Sequence, residues 1–318
     1  MIPYISYGST EWVRVIGRVL YLTPESAVRP KRAGRRSRWK RRPAVERVRG
    51  WRSFVSLHVP YQPVQVAIDG APVAEVRADR GGVIDAIVRA PLAPGWHTIT
   101  LHTNGSEPAN ARVTIVDPNA RFGLISDVDD TILNTALPKP LVAAWNSFVL
   151  DEQARTSTPG MPVLYDHFVT NHPGAPVIYL STGAWNVAPT LTRFLERNLY
   201  PKGPLLLTDW GPTHDRWFRS GREHKQRELT RLVADFPNIR WILFGDDGQH
   251  DEELYHEFSI AHPQNVAAVA IRQLSAGQAV LAGGRSKATL HRSVSGVPWV
   301  YGPDGATLRD ELDRLGVL

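Results

Sequence analysis

Between residues 121 and 135 the chain reads RFGLISDVDDTILNT, which crowds Asp127, Asp129, Asp130 and Thr131 into five positions just after an apolar run. Two other apolar runs end the same way. VIYL at 177–180 is followed by Ser181-Thr182-Gly183, and WILF at 241–244 by Gly245-Asp246-Asp247, with Asp251 five residues past Asp246. Carboxylates brought together repel one another and need compensation. An oxygen-only donor set suits a hard cation such as Mg²⁺, which keeps several waters and engages phosphate. The turn at Ser181, Thr182 and Gly183 offers hydrogen-bond donors to phosphate oxygens, and one cation is still needed for the phosphate charge. Lys225 can supply it, because four residues before Leu229 it lies on the core-facing side of its helix, near the start. The chain holds six lysines among 37 basic residues, so a lysine at this place is less easily accidental than an arginine. The set reads as a metal-assisted phosphoryl-transfer site.

Positioning such a site requires a particular frame. From residue 121 onward, short apolar strands at 122–125, 177–180, 205–207, 241–244 and 266–271 alternate with helical segments such as 189–198 and 223–236. In the last of these, Leu229, Leu232, Val233 and Phe236 form an inward stripe. Alternation of this kind implies an α/β fold, a mostly parallel sheet with helices on both faces. Ligands then bind beyond the carboxyl ends of the strands, where the polar groups above fall. A closing helix bearing Leu308, Leu312 and Leu315 on one face is expected to pack back on the body. Residues 1–118 read differently. Alternation in FVSLHV (54–59), VQVAI (64–68) and WHTITLHT (96–103), with further apolar runs at 13–22, 83–88 and 112–116, predicts six or seven strands of an antiparallel β-sandwich. The expected division is a sandwich domain over 1–118 and an α/β domain over 119–318, joined near VDPNA at 116–120.

At 318 residues, 42 % apolar and 21 % charged, the chain has the composition of a soluble globular protein. No apolar run approaches the roughly 20 residues a bilayer-spanning helix needs. The start, MIPYISYGSTEW, lacks the pattern of a secretory signal, so a cytoplasmic location is expected. The absence of cysteine excludes disulfides, thiolate catalysis and Cys-ligated zinc. The net charge of +6 is a local feature: nine basic residues and no acid lie between Arg29 and Arg42, and without them the chain stands at −3. That stretch is expected to form part of an exposed basic loop, 29–49. It is expected to contact an anionic membrane peripherally, at about 1 kcal/mol per cation near the surface, with nucleic acid as the alternative and simple solvation as the plain reading.

The motifs carry a family resemblance. DVDDT matches the DxDxT motif of haloacid-dehalogenase-like (HAD) phosphatases, Ser181 their second motif, Lys225 their third, and Gly245-Asp246 with Asp251 their fourth. SDVDDT, YLST, HK at 224–225, LFGDDGQHDEELY and AIR at 270–272 further resemble the catalytic domain of actin-patch-associated phosphatidate phosphatases and their bacterial relatives. GDDG stands where GDSG is expected. The resemblance implies a HAD-like Rossmannoid sheet with at most a small cap, since residues 136–175 are short for a full one. It implies that Asp127 attacks phosphorus to form an aspartyl-phosphate, and that Asp129 protonates the leaving oxygen and later takes a proton from water. Thr131 would support Asp129. Ser181, Thr182, Gly183 and Lys225 would hold the phosphoryl group. Asp127 and Asp246 would ligate Mg²⁺, with Asp129 and Asp251 in the metal site, Asp251 orienting the metal's waters.

Phosphatidate or a related lipid phosphate monoester is the implied substrate. The alternatives are a soluble sugar phosphate, nucleotide or phosphoprotein, and a non-catalytic binder of anionic lipid or nucleic acid. Asp130 and Asp247 are expected to cap or face solvent rather than touch a metal, and Asp251 serves the metal or caps its helix. Arg272 either reaches the site or pairs with a carboxylate. The loop LLLTDWGPTHDRWFRSG, with Asp209, Trp210, His214, Arg216, Trp217 and Phe218, follows a strand and is expected near the pocket, where it either packs locally or lines a lipid-facing rim.

Overall fold

A computed structural model describes residues 1–21, 58–134, 156–208, 217–248, 250–281 and 292–318. The basic loop, residues 54–57 of the first expected alternation, half of the expected cap (136–155) and the loop of Asp209, Trp210, His214 and Arg216 lie outside the described residues. Eight strands come first: β1 (Ile2–Pro3), β2 (Ser6–Gly8), β3 (Trp12–Arg18), β4 (Pro63–Ile68), β5 (Ala71–Arg77), β6 (Val83–Arg89), β7 (Gly95–His102) and β8 (Ala109–Ile115). They form one sheet in the order β1-β3-β2-β8-β7-β4-β5, with β6 on β3. Its pairings are antiparallel except that of β2 with β8. The period of two is plain in β4, where Val64, Val66 and Ile68 are buried and Gln65 is exposed. Val66 faces Leu101 and Ile68 faces Ile99 on β7, and these side chains share a hydrophobic cluster with Val113 and Ile115.

The rest of the chain is mixed α/β. Strands β9 (Phe122–Asp127), β12 (Val177–Ala184), β13 (Leu205–Thr208), β14 (Arg240–Asp246), β15 (Val266–Arg272), β16 (Ser293–Val294) and β17 (Val297–Gly302) form a sheet in the order β13-β12-β9-β14-β15-β17-β16. All its pairings are parallel except that of β16 with β17. Two short strands, β10 (Leu133–Asn134) and β11 (Thr156–Ser157), pair beside the site. The helices are α1 (Met161–Asn171), α2 (Ala188–Arg197), α3 (Trp217–Asp235), α4 (Asp251–Ala261), α5 (Ala276–Leu281) and α6 (Gly305–Arg314). Every residue of β15 is buried, as a parallel strand covered on both faces requires. The stripe on α3 packs as expected, with Leu229, Leu232 and Phe236 buried.

Two expectations change. Lys225 lies in the middle of α3 rather than near its start, because the helix begins at Trp217, ahead of the expected 223. Leu315 is 42 % exposed and does not join Leu308 and Leu312 against the body. Helix α6 stops at Arg314, Gly316 adopts a φ of 66°, and the chain turns so that Val317 is buried instead. The two sheets also meet. Tyr4, Tyr7, Ile16, Val83 and Val116 belong to the same buried cluster as the core of the parallel sheet.

Candidate active site

The carboxyl ends of β9, β12 and β14 bring the predicted groups together. Leu180 on β12 is in register with Asp127 on β9, and Phe244 on β14 with Ser126, so Asp127, Ser181 and Asp246 emerge side by side. Lys225 crosses from α3 to join them. Its Nζ donates to Asp127 Oδ1 at 2.7 Å and to Asp251 Oδ1 at 2.6 Å, and all three residues are buried. Close approach is needed on two sides. A Cβ on Gly221 would lie 3.0 Å from Thr182 Cγ2, and one on Gly245 would lie 2.9 Å from Asp251 Cβ and Oδ2. Both glycines let a helix reach the strand ends.

After β9 the chain must turn sharply for Asp127 and Asp129 to serve one site. Asp130 makes that turn with φ 59°, a conformation that aspartate tolerates better than most residues. Its amide donates to Leu133 O at 2.9 Å, and its carbonyl accepts a short hydrogen bond from Arg272 Nη1. Asp129 is half-buried, and its Oδ2 accepts from Ser181 Oγ at 3.0 Å. Ser181 Oγ in turn accepts from the Gly183 amide at 2.9 Å, while Thr208 Oγ1 bonds the Thr182 and Gly183 carbonyls. Thr131, expected to support Asp129, instead donates to Asp127 Oδ2 at 3.1 Å.

The electrostatics follow from burial. Burial pushes the Asp127 carboxyl well above its ordinary range; Lys225 opposes that shift, while Asp251, Asp129 and Asp246 add to it. Burial pulls the Lys225 ammonium down, but Asp127 and Asp251 more than offset this and hold it well above its usual value. Lys225 is therefore charged and serves two buried carboxyl groups at once. Asp127, Asp246 and Asp251 each present an oxygen, all within 4.8 Å of one another. Asp251 Oδ2 is buried with no hydrogen-bond partner among the described residues. An all-oxygen acidic triad with an unused buried lone pair fits a divalent cation. Asp129 stands outside that triad.

The residues left open find definite places. Asp251 begins α4 as its first residue, with His250 at the cap position, so it does not cap the helix. Asp130 and Asp247 are buried rather than solvent-facing, and Asp247 Oδ1 caps the Leu274 amide at 2.8 Å. Arg272 reaches the site, but its contact there is the Asp130 carbonyl; its Nη2 bonds Gln278 Oε1 at 3.3 Å. The Gly248 amide, which sequence reasoning did not single out, holds Asp246 Oδ1 at 2.7 Å. Its signal was the second glycine of the GDDG motif.

Comparison with known proteins finds chains similar to this one. The chain is 28 % identical over 248 residues to the phosphatidate phosphatase APP1 of Saccharomyces cerevisiae, an alignment covering 71 % of this chain and 40 % of that protein. It is 24 % identical over 166 residues to an uncharacterized protein of Schizosaccharomyces pombe, covering 52 % of this chain and 27 % of that one. The chain thus spans well under half the length of either relative. Among solved structures, a family two carbohydrate esterase from Clostridium thermocellum is 11 % identical, with a TM-score of 0.23 over 81 % of this chain and 87 % of that chain. That score carries no statement about shared fold. Residues 122–273, which hold Asp127, Ser181, Lys225, Asp246 and Asp251, match the family model of the phosphatidate phosphatase APP1 catalytic domain.

Proposed function

We propose that this chain is a Mg²⁺-dependent phosphatase that hydrolyses phosphate monoesters through an aspartyl-phosphate, with phosphatidate or a related lipid phosphate as substrate. The observation that carries the reading is Lys225 bridging Asp127 and Asp251 at the carboxyl edge of a parallel sheet, beside Asp246 and one turn from Asp129. In this reading residues 119–318 form a HAD-like Rossmannoid domain and residues 1–118 a β-sandwich domain. Asp127, Asp246 and Asp251 would hold the cation, with Asp129 beside them. The bound cation would neutralise charge on the phosphate oxygens.

The residues divide the chemistry. Thr131 and Lys225 orient the Asp127 carboxylate so that one oxygen attacks phosphorus as the P–O bond to the alcohol breaks. Asp129, protonated and steered by Ser181, gives its proton to the leaving oxygen. A water then attacks the acyl phosphate, Asp129 takes the water's proton, and phosphate leaves with Asp127 regenerated. Ser181, the Thr182–Gly183 backbone and Lys225 balance the charge of the transferring group. Among the described residues no helix is long and apolar enough to cross a membrane. We assign the protein to the cytoplasm, with the basic stretch 29–42 meeting an anionic membrane.

The test is phosphate release from phosphatidate vesicles and from a panel of soluble monoesters, with Mg²⁺ or EDTA, for the unaltered chain and Asp127→Asn. The reading expects Mg²⁺- and Asp127-dependent release, strongest from the vesicles. Release from soluble esters alone would remove the lipid assignment, and no dependent release at all would remove the phosphatase.

A further inference from the structure

Helix α3 faces two ways. Lys225 points to the strand ends, and three residues later Glu228 meets the first sheet, where Arg14 Nη1 on β3 contacts Glu228 Oε2 at 2.6 Å. Arg14 is held in turn. Its Nε and Nη2 fork onto Asp85 of β6 at 2.7 and 2.6 Å, and Nη1 also donates to the Tyr7 hydroxyl at 3.0 Å. The Tyr7 hydroxyl donates to Asp235 Oδ2 near the end of α3 at 3.0 Å. Arg14 and Glu228 are both buried. A buried ion pair is a poor source of stability, since desolvation offsets most of its attraction, but a forked guanidinium fixes direction well.

A second contact reaches the other phosphate-facing element. Tyr4 stacks on Trp185 with ring centroids 4.8 Å apart and planes 20° from parallel, and its hydroxyl donates to the Trp185 carbonyl at 3.2 Å. Trp185 opens the short 3-10 turn that ends β12, directly after Ser181-Thr182-Gly183-Ala184. The first sheet therefore braces the helix that carries Lys225 and the strand end that carries Ser181.

We propose that Arg14 and Tyr4 are positioning residues for the phosphoryl site: Arg14 sets Lys225 through Glu228, and Tyr4 sets the strand end that carries Ser181 through Trp185. The first sheet is then part of the catalytic unit rather than an appended module. This rests on the phosphatase reading, and the test separates the two.

Turnover of p-nitrophenyl phosphate with Mg²⁺ is measured on the full chain for five proteins. They are the unaltered chain, Glu228→Gln, Tyr4→Leu, Lys225→Met and the Glu228→Gln/Lys225→Met double variant, each normalised to folded protein by melting curves. Glu228→Gln is expected to lower kcat about tenfold with KM within about twofold, as sub-ångström misplacement does. Tyr4→Leu is expected to lower kcat by about threefold or more. In the Lys225→Met background, Glu228→Gln should cost less than about twofold, because the residue it acts through is already gone. A merely structural role would lower the melting midpoint and leave kcat per folded molecule unchanged. That result, or full additivity in the double variant, overturns the proposal. Should Glu228→Gln fail to fold, Tyr4→Leu decides by the same kcat criterion. Absence of Asp127-dependent turnover in the unaltered chain would overturn the phosphatase reading itself.

Discussion

Replacing Lys225 by methionine removes the ammonium that bonds Asp127 at 2.7 Å and Asp251 at 2.6 Å while keeping a flexible apolar stem of similar length. Two buried carboxylates then lose their direct cation, beside a third at Asp246. Breaking a buried pair in this way costs about 3–5 kcal/mol, which for a chain of this size lowers the melting midpoint by roughly 5–10 °C. Asp127, already pushed up by burial, rises further once Lys225 no longer opposes the shift, so its nucleophilic form becomes scarcer. Turnover should also lose the charge stabilisation that Lys225 gives the transferring phosphoryl group, about 10²- to 10³-fold in kcat. Mg²⁺ sharpens the prediction. A cation at a hundred times its dissociation constant adds about 2.7 kcal/mol to the folded state, and it should bind more tightly once no ammonium competes with it for Asp127 and Asp251. The Mg²⁺-induced rise in melting midpoint should therefore be larger for Lys225→Met than for the unaltered chain. The assays are melting curves with and without Mg²⁺, and kcat on p-nitrophenyl phosphate. An unchanged midpoint, or a kcat within about threefold of the unaltered chain, would refute the reasoning.

Three other outcomes follow from the same geometry. Asp129→Asn should cost about 10²- to 10⁴-fold with an alkyl phosphate and far less with p-nitrophenyl phosphate, whose leaving group needs no proton; equal losses would deny Asp129 the proton shuttle. Gly245→Ala places a Cβ 2.7 Å from Tyr255 Cε2 and 2.9 Å from Asp251 Oδ2, so it should destabilise by about 1–3 kcal/mol and weaken Mg²⁺ binding, read by melting and by metal titration. His224 is buried, and burial lowers its pKa from 6.5 to about 4. The fold therefore favours the neutral ring: stability is intact above pH 6.5 and falls as pH drops towards 4, by roughly 3 kcal/mol. Denaturation midpoints should show that loss in the unaltered chain and a shallower slope in His224→Gln; parallel slopes would refute it.

What was legible in the sequence has a physical pattern. Apolar runs of β9, β12, β14 and β15 stand out because buried parallel strands carry no polar alternation, and the polar residues that end them mark the site. Strand β5 escaped because it is an edge strand with mostly exposed or half-buried residues, so its alternation is faint. Helix α1 carried a readable stripe in Met161, Leu164, Tyr165 and Phe168, all buried, yet it went unmarked. The switch of Thr131 from Asp129 to Asp127 depends on the left-handed turn at Asp130, which spacing alone does not reveal. The Arg14–Glu228 pair joins residues 214 positions apart, and nothing local in either segment announces it.

The central claim is that Asp127 is the nucleophile of a phosphatase. It is tested most directly by acid-quenching the full chain during turnover of a radiolabelled phosphate monoester with Mg²⁺, then measuring label retained on the protein. The account predicts a hydroxylamine-labile acyl phosphate on Asp127 in the unaltered chain and none in Asp127→Asn. Turnover without retained label, or label that persists in Asp127→Asn, would contradict it.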